Sequence, residues 1–295
     1  MPASARGAST TRSGRSRFNL SILGVVPFLL FAIAFLIVPA SYLVIGSLQD
    51  KTGAFTVRNY ADLGGDTTRE AYLASIEISA VTAVAGAILG FLLAYAVIAG
   101  GLPKAVRSGL MTFSGVASNF AGIPLALAFV FTLGNVGMIT LLLRSIGIDI
   151  YVGGFKLYSK LGLEIVYLYF QFPLMVLIIA PAIDGLRKDW REASENMGAS
   201  TFQYWRYVAL PILLPSLLGS TLLLFGNAFG AQATAQQLAP LVNIAPLLIG
   251  RQMSGDVLHN APLGYALAVG MIAIMAVTIL VYTWLQRRSE RWQRS

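Results

Sequence analysis

The sequence predicts an all-α integral membrane protein with six transmembrane helices and a short cytoplasmic helix between the fourth and the fifth. Charged residues make up only 12% of the chain and hydrophobic residues 56%, whereas a soluble domain carries about 25% charged residues. The mean hydropathy is +0.71. Long uncharged stretches recur along the chain, and a spanning helix needs about 20 apolar residues. Lipid is therefore the predicted solvent for most of the chain.

Six of these stretches are each long enough to cross a bilayer as one helix. The predicted spans are about 20–47, 73–99, 109–133, 163–184, 212–235 and 262–285. The uncharged stretch between Arg206 and Arg251 has the length of two spans, but glutamines, an asparagine and prolines crowd its second half, 232–250. Unpaired amides are costly in lipid and prolines interrupt helices, so we expect a single span there.

Lysine and arginine residues are biased toward alternate loops, which orients the spans. With the N-terminus inside, 14 of them are cytoplasmic and 7 lie outside, so we expect a bacterial inner-membrane protein with both termini in the cytoplasm. Residues 1–17 form a predicted disordered basic tail, 18–286 a single six-helix domain, and 287–295 a second basic tail. The first apolar run is longer than the roughly 7–15 residues of a signal-peptide core, which favours an uncleaved anchor.

Motifs for catalysis or cofactor binding are absent from the sequence. No Gly-x-x-x-x-Gly-Lys-Ser/Thr loop occurs, and a single histidine, His259, without any cysteine excludes a zinc site. We therefore expect no enzyme activity, no cofactor and no metal. The net charge of +8 comes mainly from basic residues at the ends of apolar runs, so no nucleic-acid partner is expected.

The segment 186–211, between the fourth and fifth spans, begins with the pattern of a short capped helix. Asp189 is a candidate N-cap, and Glu192 at the third helical position would complete a capping box. Gly198 suits the left-handed residue that ends such a helix. An amphipathic helix lying among lipid headgroups would have a similar pattern.

A second helix is predicted from Phe202 to Leu210, with Ser200 or Thr201 as its N-cap. Pro211 and Pro215 then mark the start of the fifth span, because proline is tolerated in the first turn of a helix. The two short helices and the turn between them are expected to form a compact hairpin on the cytoplasmic face.

The spacing within this segment resembles the EAA loop of permease subunits in type I binding-protein-dependent ATP-binding-cassette (ABC) importers. The family pattern is Glu-Ala-Ala, three residues, Gly, nine residues, an aliphatic residue, any residue and Leu-Pro, and here serine replaces only the second alanine. The resemblance implies a coupling helix that docks on a separate ATPase. The expected coupling residues are Asp189, Glu192, Ala193, Ser194, Gly198, Val208, Leu210 and Pro211.

Tyr167–Asp184 is similar to the fourth span of the branch that serves polyamines, ferric iron, thiamine and aminophosphonates, and Leu224–Leu238 is similar to the end of the fifth span of polyamine-type permeases. Together they resemble the spermidine/putrescine-type branch. The branch implies a small cargo, polyamine-like or a related cationic or organic metabolite. The family implies two copies of an ATP-binding subunit, a second permease subunit that is identical or homologous, an extracytoplasmic solute-binding protein and membrane lipid as partners.

Polar residues of the fifth span recur at spacings of four and seven, which places Ser216, Ser220, Asn227 and Thr234 on one predicted helical face. Small residues lie near this face, including the pair Gly226 and Gly230, and such residues permit close helix packing in lipid. The face is therefore expected either to pack against another helix or to line a translocation pathway. The candidate pathway residues are Ser220, Asn227 and Thr234.

Two other functions remain open from the sequence. Proton- and sodium-coupled carriers bury charged residues within their spans, and these spans contain almost none, which disfavours a secondary carrier or channel. A membrane assembly partner without transport activity is the second alternative. In an ABC permease, the segment 186–211 would contact the ATPase whose ATP hydrolysis drives transport.

Overall fold

The computed structural model describes residues 20–254 and 259–293, so the predicted tail at 1–17 lies outside the described residues. All regular secondary structure within these two ranges is helical. Six helical segments are long and apolar enough to cross a membrane, which confirms the predicted fold class. They are Val25–Ser47, Asp66–Ala99, Gly122–Ser145, Lys160–Asp184, Thr201–Phe229 and Ala261–Trp284.

The described residues form fourteen α-helices and two π-helical turns. In chain order, the helices are α1 (Leu20–Ala32), α2 (Val38–Ser47), α3 (Arg58–Asp62), α4 (Asp66–Ala99), α5 (Lys104–Asn119), α6 (Gly122–Leu133), α7 (Met138–Ser145), α8 (Lys160–Asp184), α9 (Lys188–Asn196), α10 (Thr201–Tyr204), α11 (Leu210–Phe229), α12 (Gln232–Leu238), α13 (Ala245–Ser254) and α14 (Ala261–Gln293). The π turns Ile33–Ile37 and Trp205–Ala209 join α1 to α2 and α10 to α11.

The parallel helices α4 and α8 form the centre of the bundle. A Cβ atom added at Gly86 would lie 2.9 Å from Gln171 Cβ, and one added at Gly90 would lie 2.5 Å from Met175 Cβ. The two backbones therefore approach more closely than any residue larger than glycine permits, which is how small residues tighten helix pairs in lipid.

Helix α11 packs against both members of this pair. The fully buried amide of Gln171 donates from Nε2 to the carbonyl oxygen of Leu224 at 2.9 Å. Its Oε1 is buried without a hydrogen-bond partner among the described residues. A polar contact of this kind fixes the register of two helices, because sliding them would leave the amide donor unpaired as well.

The third predicted span, 109–133, is not one helix. Helix α5 ends at Asn119, and α6 begins at Gly122 after a break at Phe120–Ala121. Gly122 has φ +73°, a left-handed conformation that glycine adopts without strain. The prediction was wrong because hydrophobic periodicity does not report a local reversal of backbone conformation. The structure instead assigns the third candidate span to α6 and α7 together.

The fifth predicted span, 212–235, begins and ends too late. Its helix starts at Thr201, passes through the π turn into α11, and ends at Phe229. Gly230 and Ala231 separate it from α12. Thr234 lies on α12 and therefore does not share a helical face with the polar residues of α11, contrary to the prediction.

Helix α14 packs against α2 and α11. The Tyr265 ring covers Gly46, where an added Cβ would lie 2.6 Å from Cδ2, and Met275 Cε would lie 2.8 Å from a Cβ at Gly226. Gly226 therefore has the close-packing role predicted for it, whereas Gly230 follows the last residue of α11. Helix α14 continues through residues 287–293, which the sequence assigned to a tail.

Candidate functional site

Helix α9 begins two residues earlier than predicted. Its N-cap is Arg187, and no side chain caps the helix. The predicted capping box of Asp189 and Glu192 is therefore wrong. The Asp189 carboxylate instead accepts a hydrogen bond from Arg187 Nη2 at 2.6 Å. Its negative charge in the first turn interacts favourably with the positive, N-terminal end of the helix dipole. A two-residue shift here decides whether an aspartate caps a helix or lies inside its first turn.

The end of α9 has the predicted turn at Gly198, whose φ is +80°. The Gly198 N–H donates to the Glu195 carbonyl oxygen at 2.9 Å, and the Ala199 N–H donates to that of Ser194 at 3.0 Å. This is a Schellman motif, which satisfies the last carbonyl groups of a helix and requires a left-handed residue at the position of Gly198. The next helix starts with the predicted cap, because Ser200 forms a reciprocal capping box with Gln203.

The second helix does not end at Leu210, contrary to the prediction. It continues through the π turn Trp205–Ala209 into α11, with Leu210 and Pro211 as the first two residues of α11 and Val208 half-buried within the turn. Proline has no N–H to donate to the preceding turn, and a π turn is one way to continue a helix past such a gap. The helix is therefore unbroken from the segment after α9 to the membrane core.

An aromatic cluster ties this π turn to α4. The Trp205 ring lies edge-on to the Tyr95 ring, with centroids 4.8 Å apart, and edge-on to Phe91 at 6.3 Å. Aromatic pairs in this geometry stabilise a contact beyond the area they bury. The π turn is thus in contact with α4 through Trp205 and continuous with α11.

Helix α9 itself is almost entirely exposed. Ser194, the residue that replaces alanine in the sequence motif, is the buried one, at 4% exposure. Trp190, Ala193 and Met197 lie on the outward face at helical spacing, and Met197 is 81% exposed. We call these three residues the α9 stripe. An outward apolar stripe on an otherwise polar helix is typical of a segment that docks into a groove.

A cavity of about 580 Å³ separates α9 from the ends of α4, α5 and α8. Arg107 pairs with Asp184 at 2.5 Å across its floor, and Arg191 pairs with Glu195 at 2.9 Å along α9. The hydrogen bond to Glu195 raises the pKa of the Arg191 guanidinium above its ordinary value. Ser194 is the one residue of α9 that is buried, and a cavity lies on the side of the helix that faces the bundle.

A second cavity, of about 570 Å³, opens beside two breaks in the helices, one between α5 and α6 and one between α11 and α12. We call it the central cavity. The interruptions meet at Thr234, whose Oγ1 accepts from the Gly122 N–H at 2.9 Å. Its lining is formed by Ser118, Ala121, Gly122, Phe170, Asn227, Gly230, Ala231, Gln232, Ala233, Thr234 and Gln236.

Two of the three candidate pathway residues line the central cavity, and the third does not. Asn227 and Thr234 come together at the central cavity although they lie on different helices. Ser220 is buried, does not line the cavity, and donates its hydroxyl to the Ser216 carbonyl oxygen at 2.7 Å. Ser118, Gln232 and Gln236 also line the central cavity and were not predicted. The amide side chains clustered after residue 231 could have indicated a polar cavity there.

A third cavity, of about 330 Å³, lies between α12 and α13; we call it the outer cavity. It is lined by Gln232, Gln236, Pro240, Leu247, Gly250, Arg251 and Ser254. The Arg251 guanidinium donates to the Pro240 carbonyl oxygen. No group of three or more metal-ligating side chains occurs in residues 20–254 and 259–293.

Comparison with known proteins places this arrangement in a family. Residues 86–295 match the family described as binding-protein-dependent transport system inner membrane component. The spermidine/putrescine transport system permease protein PotB of Haemophilus influenzae is 31% identical over 126 residues, which cover 42% of this chain and 43% of that protein. The probable sulfate transport system permease protein cysT of Nephroselmis olivacea is 21% identical over 273 residues, 90% of this chain and 89% of the relative.

A solved structure shares the fold. It is a bacterial ABC transporter involved in the import of the acidic polysaccharide alginate, and one of its chains superposes with a TM-score of 0.74 at 16% identity. The superposition covers 91% of this chain and 95% of that chain.

Proposed function

Because the chain belongs to the family of binding-protein-dependent transport system inner membrane components, we propose that it forms half of a solute pathway and is driven through α9 by a separate ATPase. As a family member with six apolar spans, it is a multi-pass inner-membrane permease subunit of an ABC importer and not a catalytic subunit. The pathway, the docking and the partners below are the proposed part.

The exposed, well-terminated α9 carries this proposal. The α9 stripe supplies apolar contacts for a groove on the ATPase, while Asp189 and Glu192 add charge at the start of the helix. Gly198 fixes the end of α9. Val208, Leu210 and Pro211 connect it through the π turn to α11, so rigid-body movement of α9 is passed to the membrane core.

The proposed orientation puts the α9 end of the bundle in the cytoplasm, together with both chain termini. Basic residues are concentrated at this end, as the positive-inside rule requires. Those at or next to the α9 cavity are Arg107, Arg187, Lys188 and Arg191. The complete importer would contain two ATP-binding subunits, a second permease subunit and an extracytoplasmic solute-binding protein.

The cargo has two candidates. The resemblance of the fourth and fifth spans to the spermidine/putrescine branch, and the similarity to PotB, favour a polyamine-like or related small cationic or organic metabolite. The similarity to a sulfate permease over most of both chains favours an oxyanion.

Affinity purification of the tagged chain from its native membrane tests the assignment. We expect an ATPase with a Gly-x-x-x-x-Gly-Lys-Ser/Thr loop to co-purify, and the α9 stripe variant Met197→Asp to lose it. Reconstituted uptake should then require ATP. A secondary carrier or channel would transport without the ATPase, and an assembly partner would co-purify without supporting uptake.

Replacing Asn227 by leucine should lower ATP-driven uptake about five-fold or more, because an amide that lines the central cavity is lost. The matched control is Ser220→Ala on the same helix, whose hydroxyl is used within α11. It should transport at close to the wild-type rate. Unchanged uptake kinetics for Asn227→Leu would remove Asn227 from the pathway.

A further inference from the structure

Helix α12 separates the central cavity from the outer cavity. Gln232 and Gln236 line both cavities. They are four residues apart, so their side chains lie on one face of the helix. A solute that moves between the two cavities along α12 would contact these two amides.

The rest of α12 is held firmly in place. Thr234 hydrogen-bonds the Gly122 backbone, and Ala235 and Leu238 are buried in the apolar core formed with α6 and α8. On the other side, Gly250 of α13 leaves room for the Gln232 amide, whose Nε2 would lie 2.7 Å from a Cβ added there. The two glutamines are therefore presented by a positioned helix and not by a mobile loop.

The charge carried by the described residues around the two cavities is positive only. Among the described residues that line the two cavities, Arg251 is the one charged side chain, and no carboxylate is present. Its bond to the Pro240 carbonyl uses one of the five donors of the guanidinium. The remaining polar groups of the lining are amides and hydroxyls, which can donate hydrogen bonds to oxygen atoms of a solute.

Resting on the pathway assignment above, we propose that Gln232, Gln236 and Arg251 form a selectivity site that passes small oxyanion-bearing solutes and disfavours polycations. A polycation at this site would meet the Arg251 guanidinium, and no carboxylate among the described lining residues offsets that charge. An oxyanion would instead meet the guanidinium and the amide donors together, which is the favourable arrangement for charge-assisted hydrogen bonds.

Three acidic residues elsewhere in the protein do not line either of these two cavities. Asp66, Glu70 and Glu77 line a separate cavity with Arg69 and Lys160, and that cavity shares no lining residue with the other two. Glu77 is ion-paired with Lys160. These carboxylates are therefore not placed to offset the charge of Arg251.

The absence of cysteine from the chain allows a direct test without knowledge of the cargo. In the assembled transporter, Gln236→Cys is labelled with an anionic sulfonatoethyl methanethiosulfonate or a cationic trimethylammonium-ethyl methanethiosulfonate. The control Val152→Cys lies on a loop and is 86% exposed at this position. We expect the anion-to-cation rate ratio at Gln236→Cys to be at least five-fold higher than at Val152→Cys.

Charge variants at Arg251 make the test specific. Adding Arg251→Gln to Gln236→Cys should bring the ratio down to that of Val152→Cys, whereas adding Arg251→Lys should preserve it. Equal ratios at the two cysteines, or faster labelling by the cation at Gln236→Cys, would overturn the selectivity site.

The pathway assignment has a separate readout in the same samples. Labelling Gln236→Cys with either reagent should block ATP-driven uptake of whichever radiolabelled probe, sulfate or spermidine, the unlabelled transporter accumulates, because the adduct occupies the route. Blocked uptake without an anionic preference would refute the selectivity site and leave the proposed function standing. Undiminished uptake after complete labelling would refute the pathway itself.

Discussion

Replacing Gly198 by valine is expected to lower ATP-driven uptake at least ten-fold while the chain still inserts into the membrane. Gly198 has φ +80°, and a Cβ added there meets no atom within 4 Å, so the penalty is conformational and not steric. A left-handed backbone costs a residue with a side chain roughly 1–2 kcal/mol, and more if it is β-branched. The Schellman hydrogen bonds to Ser194 and Glu195 would be lost.

The loss of this turn should affect transport because few other contacts hold α9 in place. Ser194 is its one buried residue, and a cavity lies beneath it. Without a fixed end, α9 frays into the following turn, and closure of the ATPase moves a flexible segment instead of α11. The defect should therefore appear in the coupling of ATP hydrolysis to uptake and not in the amount of protein in the membrane.

Gly198→Asn is the matched control, because asparagine tolerates the left-handed conformation. It should keep at least half of the wild-type uptake at an equal membrane level of the chain, measured by immunoblot alongside transport in vesicles. Equal loss of uptake in both variants would indicate that any side chain at position 198 obstructs the contact with the ATPase. Wild-type uptake by Gly198→Val would remove the end of α9 from the coupling mechanism.

The sequence predicts those features whose cause is local. Six apolar stretches follow from composition alone, and Gly198 and Ser200 are recognisable because glycine and serine have strong, short-range preferences at helix ends. The cap of α9 was misassigned because Arg187, Lys188 and Asp189 are neighbours. A shift of two residues is within the one to two residues by which helix boundaries are uncertain.

Features that depend on distant contacts were not predictable. The breaks after Asn119 and Phe229 meet through the bond between Gly122 and Thr234, which are 112 residues apart. Both breaks lie in apolar sequence that periodicity assigns to continuous helix. The amides of Gln232 and Gln236 correctly argued against a second span in this stretch, but their position beside two cavities depends on contacts that the local sequence does not report.

The second large effect is expected at Gly90, which has no role in the chemistry of transport. A Cβ there would lie 2.5 Å from Met175 Cβ and 2.6 Å from the Phe172 carbonyl oxygen. The second contact is with backbone, so rotation of a side chain cannot relieve it. Gly90→Val must push α4 away from α8 along the central pair of the bundle. Overpacking of this kind costs about 1–3 kcal/mol or more.

The prediction is that Gly90→Val yields little monodisperse protein in detergent and a thermal midpoint well below that of the wild type. Gly109→Val is the control with the same chemical change, since a Cβ at Gly109 on α5 meets no atom within 4 Å. Both variants carry the same change in helix propensity, so the difference between them isolates the contact of α4 with α8. Equal midpoints for the two would mean that α4 and α8 do not approach as closely as the structure places them, and the central pair would no longer explain how α11 is held in register.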